Sequence, residues 1–236
     1  MSRLLTLLAL PLALLLAQCT TPSMENRLSK MEAKQDSILK VLGAMQEKHE
    51  FMATRMGWRP PPDTNPKVIP LGTSQVQGPE NAVLTVVEFT DLQCPYCSQF
   101  APILDTLARN HPQDVRVVFK HFPLSFHPMA KPAAAAALAA AKQGKFFEFR
   151  YKVAPHFRDL KDSVYLAVAK EIGLDLAKFK QDMALTPDVE RIISEDMELG
   201  RRIGVEGTPT IFVNGKLAQD RSMEYFESLI RKAKGG

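Results

Sequence analysis

Two cysteines separated by two residues, Cys94 and Cys97, lie between a strand-like apolar run and a segment whose apolar residues recur at helical spacing. The run Val83 to Phe89 before them is apolar on both alternating faces, which is typical of a central strand covered on both sides. The apolar residues after them recur at helical spacing, at Phe100, Ile103, Leu104 and Leu107. We therefore expect an α/β fold in which the pair lies between a buried strand and the start of a helix.

A place at a helix N-terminus predicts different roles for the two thiols. Unpaired backbone N–H groups and the positive end of the helix dipole favour a thiolate at Cys94, so we expect its pKa to lie well below the ordinary value of about 8.5. Cys97 lies one turn further into the helix, which predicts a better buried side chain with a resolving role. Pro95 and Tyr96 complete the predicted catalytic motif.

A zinc site and a structural disulfide are alternative explanations of the same spacing. Zinc needs two more ligands, but the only other cysteine is Cys19, and no two of the five histidines have a finger-like spacing. A disulfide that closes so short a loop would restrict the unfolded chain very little. Redox activity is therefore the favoured interpretation, with no metal and no cofactor besides a Cys94–Cys97 disulfide.

The run from Val86 to Cys97, together with Gly207-Thr208-Pro209-Thr210 far downstream, resembles the DsbA-like family of thioredoxin-fold thiol–disulfide oxidoreductases. The resemblance covers roughly residues 78–234, and we assign the domain to 80–236. It implies a thioredoxin fold with a helical insertion at about 128–204. It also implies a cis bond before Pro209 that faces the cysteines and leaves the Thr208 backbone to pair with an extended substrate segment.

Glu88 lies in the predicted strand, six residues before Cys94. Burial would raise its pKa and allow it to carry a proton to or from Cys97. The resemblance agrees, because it implies a buried functional acid at this offset. The alternative is a carboxylate that reaches solvent at the strand end, since buried glutamate is rare without a role or a partner. His121 and His127 are candidates for the border of the active-site groove, although loop histidines are more often plain surface.

Two further strands are predicted after the cysteine pair. Asp114 to Lys120 is rich in valine and indicates one strand. Thr210 to Val213, the turn Asn214-Gly215 and Lys216-Leu217 together form a hairpin signature. A final helix is expected from Ser222 to Lys234.

The N-terminal segment 1–18 predicts an export signal, because its apolar stretch is too short for a comfortable membrane span. Its end, Leu16-Ala17-Gln18-Cys19, resembles a bacterial lipobox, which implies a lipidated Cys19 within an anchor region of residues 19–23. Gln18 departs from that pattern, since Gly, Ala or Ser is usual there. Ordinary signal cleavage nearby is the alternative. The resemblance implies a periplasmic protein of the bacterial envelope, and Thr20 favours anchoring to the outer membrane.

Segment 24–56 carries apolar residues separated alternately by four and three positions. This heptad seam predicts a coiled coil that joins copies of the chain, with Gln35 and His49 as polar residues at a positions. Leu39 and Val41, at e and g, widen the apolar stripe, which favours a trimer over a dimer. The alternative is a long amphipathic helix that folds back on its own domain.

Segment 57–79 contains six of the 17 prolines and predicts an extended spacer between the coiled coil and the domain. A short edge strand is expected near its end, at Val68, Ile69 and Leu71. The net charge of +4 is too mild and too dispersed to favour a nucleic-acid partner.

These features predict an exported oxidoreductase that forms mixed disulfides with unfolded or misfolded exported proteins and exchanges electrons with a membrane redox partner. Tyr96 replaces the histidine of strongly oxidising relatives, and Thr208 resembles the isomerase and reductase branches, so we expect isomerase or reductase activity. A DsbA-type dithiol oxidase is the main alternative. A surface structural protein with a vestigial redox fold is the second.

Overall fold

The structure is a computed structural model that describes residues 22–55 and 65–235. The chain divides into two compact units, Met1–Asp63 and Thr64–Gly236. The predicted export signal, 1–18, and the lipidation site Cys19 lie outside the described residues. None of the helices in the described ranges combines the length and the apolar character needed to cross a bilayer.

The first unit contains helix α1, Pro22–Arg55, which covers nearly all of the segment whose heptads predict a helix. Its apolar seam is exposed in the single chain. The apolar seam residues whose side chains are described are between 54% and 66% exposed: Leu28, Met31, Ile38, Leu42, Met45 and Met52. Leu39 and Val41, the residues expected to widen the stripe, are exposed as well. Pairing of this seam with other copies stays a prediction.

The second unit is built on a sheet of five strands. They are β1 Gln75–Gln77, β2 Leu84–Thr90, β3 Val115–His121, β4 Thr210–Val213 and β5 Lys216–Leu217. The order across the sheet is β1-β3-β2-β4-β5. Strands β2 and β3 are parallel, and the other neighbouring pairs are antiparallel. The central position of β2 explains why its sequence is apolar on both faces.

Seven helices of this unit surround the sheet. They are α2 Pro95–Asn110, α3 Ala130–Ala141, α4 Phe146–Val153, α5 Asp162–Glu171, α6 Leu176–Asp182, α7 Pro187–Arg202 and α8 Met223–Ala233. Helices α2 and α8 cover one face of the sheet, where Phe100 and Phe226 pack with Val86. On the other face, Leu199 of α7 packs with Phe89. Helices α3 to α7 form the predicted insertion, so the thioredoxin fold with a helical insertion is confirmed.

The start of the domain differs from the prediction. The Lys67 N–H donates to the Gly215 carbonyl over 2.7 Å, and the Lys120 ammonium donates to the Leu71 carbonyl over 2.9 Å. Residues 65–79 therefore belong to the domain, and the predicted spacer up to residue 79 is too long. The expected edge strand at Val68, Ile69 and Leu71 is also misplaced, because the edge of the sheet is paired instead by β1.

Candidate active site

The turn between β2 and α2 places Cys94 at the N-cap of the helix. The Asp91 carboxylate accepts a hydrogen bond of 2.7 Å from the Gln93 N–H, and the Asp91 carbonyl accepts one of 3.0 Å from the Cys94 N–H. Pro95 follows at the start of α2. Proline suits that position because its fixed φ matches the helix and an N–H there would have no helical partner. The turn thus holds the Cys94 sulfur at the helix N-terminus.

The surroundings of Cys94 favour its thiolate and lower its pKa to about 5. The largest influence is a hydrogen bond from the Cys97 thiol, which burial opposes. The Thr208 hydroxyl and the backbone N–H groups of Cys97 and Tyr96 lower the pKa further. The predicted contribution of the helix N-terminus is therefore present, but the neighbouring thiol contributes more. At neutral pH Cys94 is in its nucleophilic form.

Cys97 has the opposite environment. Burial raises its pKa strongly, and the hydrogen bond to Cys94 and the negative charge of Glu88 raise it further. Both cysteine side chains have an exposed fraction of 3%, but burial is the largest influence on the pKa of Cys97 and only the second largest on that of Cys94, so Cys97 is the more deeply enclosed of the two. The exposed fraction of Cys94 is as low as that of Cys97 because the Thr208 segment contacts Cys94 from outside the helix. The two thiols differ in their pKa values, because their surroundings stabilise the thiolate of Cys94 and the protonated thiol of Cys97.

The Thr208–Pro209 peptide bond is cis, as the resemblance implies. The Thr208 carbonyl oxygen accepts a hydrogen bond from the Cys94 sulfur when that thiol is protonated. The predicted substrate-binding residues Thr208 and Pro209 therefore lie at the nucleophile.

Glu88 is completely enclosed in the structure. It alternates with Val87 and Phe89 along β2, so it shares the sheet face that α2 covers. Its carboxylate accepts a hydrogen bond from the guanidinium of Arg150, which lies on α4 and is 1% exposed. Burial raises the pKa of Glu88, while Arg150 and the Thr90 hydroxyl oppose that rise. The alternative of a carboxylate that reaches solvent is wrong.

A loop of residues 122–129 is tied to the turn that precedes Cys94. The Asp91 carboxylate accepts a hydrogen bond of 2.9 Å from the Leu124 N–H and lies 2.7 Å from Nδ1 of His127. The Gln93 side chain accepts a hydrogen bond of 2.6 Å from the Met129 N–H. His127 is therefore held next to the active-site turn, where a residue bordering the groove is expected.

The second candidate histidine is not part of an open groove. His121 is 3% exposed, and burial followed by the charge of Lys120 lowers its pKa to about 3. Its ring packs edge-on against Phe119 and Phe146. The prediction that His121 borders the groove is wrong, because β3 extends through this residue and carries it into the core.

Two large side chains of these elements face solvent. Tyr96, between the cysteines, is 64% exposed, and Phe126, in the loop tied to the active-site turn, is 73% exposed. The Phe126 ring packs edge-on against His127, with ring centroids 4.6 Å apart.

Both active-site cysteines are free thiols in the structure. A thiolate next to a protonated thiol can exchange with a disulfide, because the thiolate attacks and the second thiol resolves the mixed disulfide. Across residues 22–55 and 65–235, no group of three or more His, Cys, Asp or Glu side chains is arranged to hold a metal ion.

A sequence model of the family described as Thioredoxin matches residues 71–232, which include the cysteine pair and the cis-proline. The chain belongs to the thioredoxin family. The match begins within the segment that was predicted to be a spacer, in agreement with the earlier start of the thioredoxin domain in the structure.

Several solved structures are similar to the thioredoxin domain. A thioredoxin-like oxidoreductase from Silicibacter pomeroyi is 29% identical, with a TM-score of 0.58 over 70% of this chain and 94% of that chain. The catalytic domain of ScsC from Proteus mirabilis is 25% identical, with a TM-score of 0.57 over 69% of this chain and 90% of that chain. The thiol–disulfide exchange protein alpha-DsbA2 from Wolbachia pipientis is 24% identical, with a TM-score of 0.59 over 68% of this chain and 87% of that chain. The fold is therefore the DsbA-like form of the thioredoxin fold.

The curated relatives are much longer than this chain, and the match covers only part of each of them. The Na(+)/H(+) antiporter NhaA 3 of Salinispora tropica is 40% identical over 142 residues, and NhaA 1 of Salinispora arenicola is 39% identical over 142 residues. Each match takes in 60% of this chain and 22% of the antiporter. The chain thus spans less than a quarter of the length of these curated relatives.

Residues of the helical insertion that reach the thioredoxin site were missed from the sequence. Arg150 pairs with Glu88, and the Ala154 carbonyl accepts a hydrogen bond of 2.6 Å from the Ser98 hydroxyl, next to Cys97. A signal for Arg150 was present, because it follows Phe146 at helical spacing in an aromatic-rich stretch and so shares the buried face of α4. No sequence pattern predicts the hydrogen bond between the Ser98 hydroxyl and the Ala154 carbonyl.

Proposed function

We propose that this protein is a thiol–disulfide oxidoreductase that acts on protein substrates through a mixed disulfide at Cys94. The observation that carries the proposal is the contrast between a nucleophilic thiolate at Cys94, with a pKa of about 5, and a protonated Cys97 beside it. A pair with one thiolate and one thiol is suited to attack followed by resolution.

The reaction with a substrate disulfide has two steps. The Cys94 thiolate attacks one substrate sulfur, the substrate S–S bond breaks, and one substrate thiolate leaves. Cys97 then loses its proton and attacks the Cys94 sulfur, which forms the Cys94–Cys97 disulfide and releases the second substrate thiolate. The substrate is reduced by two electrons and the enzyme is oxidised by two. An oxidase runs the same steps in reverse.

We assign the protein to the isomerase or reductase branch. Burial is the largest influence that raises the pKa of Cys97, and it acts in the mixed disulfide as well, so we expect resolution to be slow relative to attack and the mixed disulfide to persist. A persistent mixed disulfide gives a second substrate thiol time to displace Cys94, which rearranges the substrate disulfide with no net oxidation. The alternative, a dithiol oxidase, is favoured by the low pKa of Cys94, since a stabilised thiolate makes the disulfide more oxidising.

The substrates in this proposal are unfolded or misfolded exported proteins. An extended segment beside Thr208 would lie next to the Cys94 sulfur, because the Thr208 carbonyl oxygen is 3.4 Å from it. The exposed rings of Tyr96 and Phe126 offer apolar contact of the kind that unfolded chains provide. We place the protein in the periplasm of the bacterial envelope, anchored to the outer membrane by a lipid at Cys19 and recycled by a membrane redox partner.

We also propose that α1 joins copies of the chain, as a trimer in preference to a dimer. The apolar seam of this helix, which includes Met31, Ile38 and Met45, is exposed, and the helix has no proline after its first residue, as a coiled coil requires. Several active sites in one assembly would act on one misfolded substrate at a raised effective concentration.

The test compares two ribonuclease substrates, one reduced and one with scrambled disulfides. Wild type should restore activity to scrambled ribonuclease faster than it oxidises reduced ribonuclease under matched glutathione buffers. Cys94→Ser should abolish both activities. Cys97→Ser is the matched control, and it should retain partial isomerase activity but lose oxidase and reductase turnover. Faster oxidation of the reduced substrate would assign the protein to the oxidase branch instead, and inactivity on both would overturn the proposal.

A further inference from the structure

The loop of residues 122–129 is held against the active-site turn at both of its ends. At its start, the Phe122 N–H donates a hydrogen bond of 2.8 Å to the Thr90 carbonyl. At its end, the Met129 N–H donates one of 2.6 Å to the Gln93 side chain. Both acceptors lie within four residues of the nucleophilic cysteine. The loop is therefore placed beside the point where the strand turns into the catalytic helix.

Asp91 holds the middle of the same loop. Its buried carboxylate accepts a hydrogen bond of 2.9 Å from the Leu124 N–H, and its Oδ2 atom lies 2.7 Å from Nδ1 of His127. An ionised carboxylate only accepts hydrogen bonds, so Nδ1 carries the hydrogen of that contact. The Asp91 carbonyl accepts a hydrogen bond of 3.0 Å from the Cys94 N–H. One residue thus contacts the backbone of the nucleophile and the loop together.

Phe126 is the exposed ring of this loop. It packs edge-on against His127, with ring centroids 4.6 Å apart. Its side chain is 73% exposed and that of Tyr96 is 64% exposed, and no other Phe or Tyr side chain in residues 65–235 exceeds one third. Single exposed apolar residues are ordinary, whereas a group of them marks an interaction site. Both exposed rings belong to segments that adjoin Cys94.

The two segments that carry these rings are uncharged. Residues 92–96 and 122–129 contain no Lys, Arg, Asp or Glu. Such a surface favours an apolar side chain over a charged one, because a charge buried against it would have no partner. During exchange the substrate cysteine is bonded to Cys94. Its neighbours in the substrate therefore lie over the surface that surrounds this sulfur.

We propose that Phe126 is a specificity-determining residue, which contacts an apolar side chain next to the substrate cysteine, and that His127 is a positioning residue, which holds Phe126 at the active-site turn through Asp91. The proposal rests on the proposed function and names its preferred substrates, which are segments whose cysteine lies among apolar residues. Such segments are buried in folded proteins and become exposed on unfolding. A preference for them directs Cys94 to unfolded or misfolded chains.

The experiment measures the preference between two activated peptides. Each peptide has one cysteine joined by a disulfide to nitrothiobenzoate, with leucine at the neighbouring positions in one peptide and glutamine in the other. The Cys94 thiolate attacks the peptide sulfur, an S–S bond forms between Cys94 and the peptide, and the coloured thiolate leaves with the electron pair. Stopped-flow absorbance with reduced full-length protein gives the maximal rate and the half-saturation concentration for each peptide.

Wild type should prefer the leucine peptide by about fivefold or more, because that peptide removes more apolar surface from water. Phe126→Ala should lose most of this preference through a higher half-saturation concentration for the leucine peptide, with a similar maximal rate. Leu185→Ala is the matched control. Leu185 is a 41% exposed apolar residue in the loop between α6 and α7, and its replacement should keep the preference.

Variants of His127 test the positioning role. His127→Ala should lower the preference about threefold, since the loop loses its side-chain hydrogen bond to Asp91. His127→Asn should recover part of the preference, because its side-chain N–H can replace Nδ1 as the donor. The double variant Phe126→Ala/His127→Ala should have a preference no lower than Phe126→Ala alone, because both changes act through the same ring. Circular dichroism checks that each variant is folded.

A wild type with no preference, or an unchanged preference in Phe126→Ala, would overturn the proposal, and so would an equal loss in Leu185→Ala. No loss in His127→Ala, or no recovery in His127→Asn, would count against the positioning role. If His127→Ala does not fold, His127→Asn decides, and a preference as low as that of Phe126→Ala would reject the role.

The peptides require only the attack by Cys94, so they separate this proposal from the proposed function. A normal leucine preference with inactivity on both ribonuclease substrates would reject the proposed function alone. Activity on ribonuclease without a leucine preference would reject the role of Phe126 alone.

Discussion

The Sγ atom of Cys94 lies 3.4 Å from the carbonyl oxygen of Thr208, a residue 114 positions later in the chain. The antiparallel register of β2 and β4, in which Phe89 faces Thr210, brings the two together. One residue follows β2 into a helix N-terminus and the other precedes β4, so both lie at the same edge of the sheet. The environment of the nucleophile therefore has two parts, the helix N-terminus and the Thr208 segment. Only the helix N-terminus is close to Cys94 in the sequence.

The first prediction concerns the acidity of Cys94. Because its pKa is lowered to about 5, the thiolate is complete at neutral pH and is lost as the pH falls through about 5. The rate of alkylation of reduced protein by iodoacetamide should follow this fraction, with half its plateau value near pH 5. Cys94→Ser is the control and should remove the fast phase. A midpoint near the ordinary thiol value of about 8.5 would contradict the assignment.

The Thr208 hydroxyl is the subject of the second prediction. It lowers the pKa of Cys94, so Thr208→Val, which keeps the side-chain shape, should raise that pKa. Alkylation should slow near pH 5 and stay nearly unchanged at pH 8, where Cys94 remains ionised. Thr106→Val, on the same helix as Cys94, is the matched control and should leave the profile unmoved. Equal slowing of Thr208→Val at both pH values would indicate altered access instead of altered acidity.

A buried ion pair outside the active site gives the third prediction. The Lys120 ammonium donates to the Asp196 carboxylate over 2.9 Å, and the two side chains are 3% and 4% exposed. Lys120→Met should lower the free energy of unfolding by about 3–5 kcal/mol, because it leaves a buried acid unpaired. Urea denaturation followed by circular dichroism measures the change.

The control for that ion pair is an exposed one. Lys152 and Glu171 are 2.6 Å apart and each 55% exposed. Lys152→Met should lower the free energy of unfolding by less than about 1 kcal/mol, since solvent screens the charges. Equal effects of Lys152→Met and Lys120→Met would show that burial does not determine the energy of the Lys120–Asp196 pair.

The fourth prediction tests the seam of α1 in the full-length chain. Ile38, at a d position, is 60% exposed in the single chain. Ile38→Asp should dissociate the assembly, because a charge in a coiled-coil seam would be buried without a partner. Light scattering gives the molar mass. Ala33→Asp adds the same charge at an f position and should leave the assembly intact. A monomeric wild type would reject the coiled coil.

The fifth prediction concerns attachment to the membrane. A diacyl group on Cys19 would contribute about 0.8 kcal/mol for each buried methylene, enough for stable anchoring. Cys19→Ser should release the protein into the soluble fraction or leave its precursor uncleaved. The intact mass of the membrane fraction checks the modification, and a plain peptide N-terminus on wild type would exclude it.

Local features of the structure could be predicted from the sequence. The hairpin turn at Asn214 and Gly215 has φ values of 48° and 79°, a conformation that Asn and Gly adopt more easily than other residues. The helix N-terminus at Cys94 follows from Pro95 and the change of periodicity. In each case the residues that determine the conformation lie within a few positions of one another, so their pattern is visible in one dimension.

Long-range features could not be predicted in the same way. The domain begins before residue 80 because Leu71 and β1 contact β3, which follows them by about 40 to 50 residues, and no local pattern records that pairing. His121 is buried for a similar reason, since β3 continues one residue past the predicted end and the insertion covers it. The proline content of segment 57–79 predicted a spacer instead of part of the domain. The predicted strand ended at Lys120, so His121 was expected in a loop.

The chain by itself determined the chemistry of the site: two thiols across one helical turn, an acid on the preceding strand and a Thr-Pro before a late strand. Tertiary structure decided the state of each group. Burial raises the pKa of Glu88, Arg150 from the helical insertion opposes that rise, and the acidity of Cys94 depends in part on the Thr208 hydroxyl. The physical reason is that residue type and spacing are local, whereas burial and electrostatic fields depend on every neighbour in space.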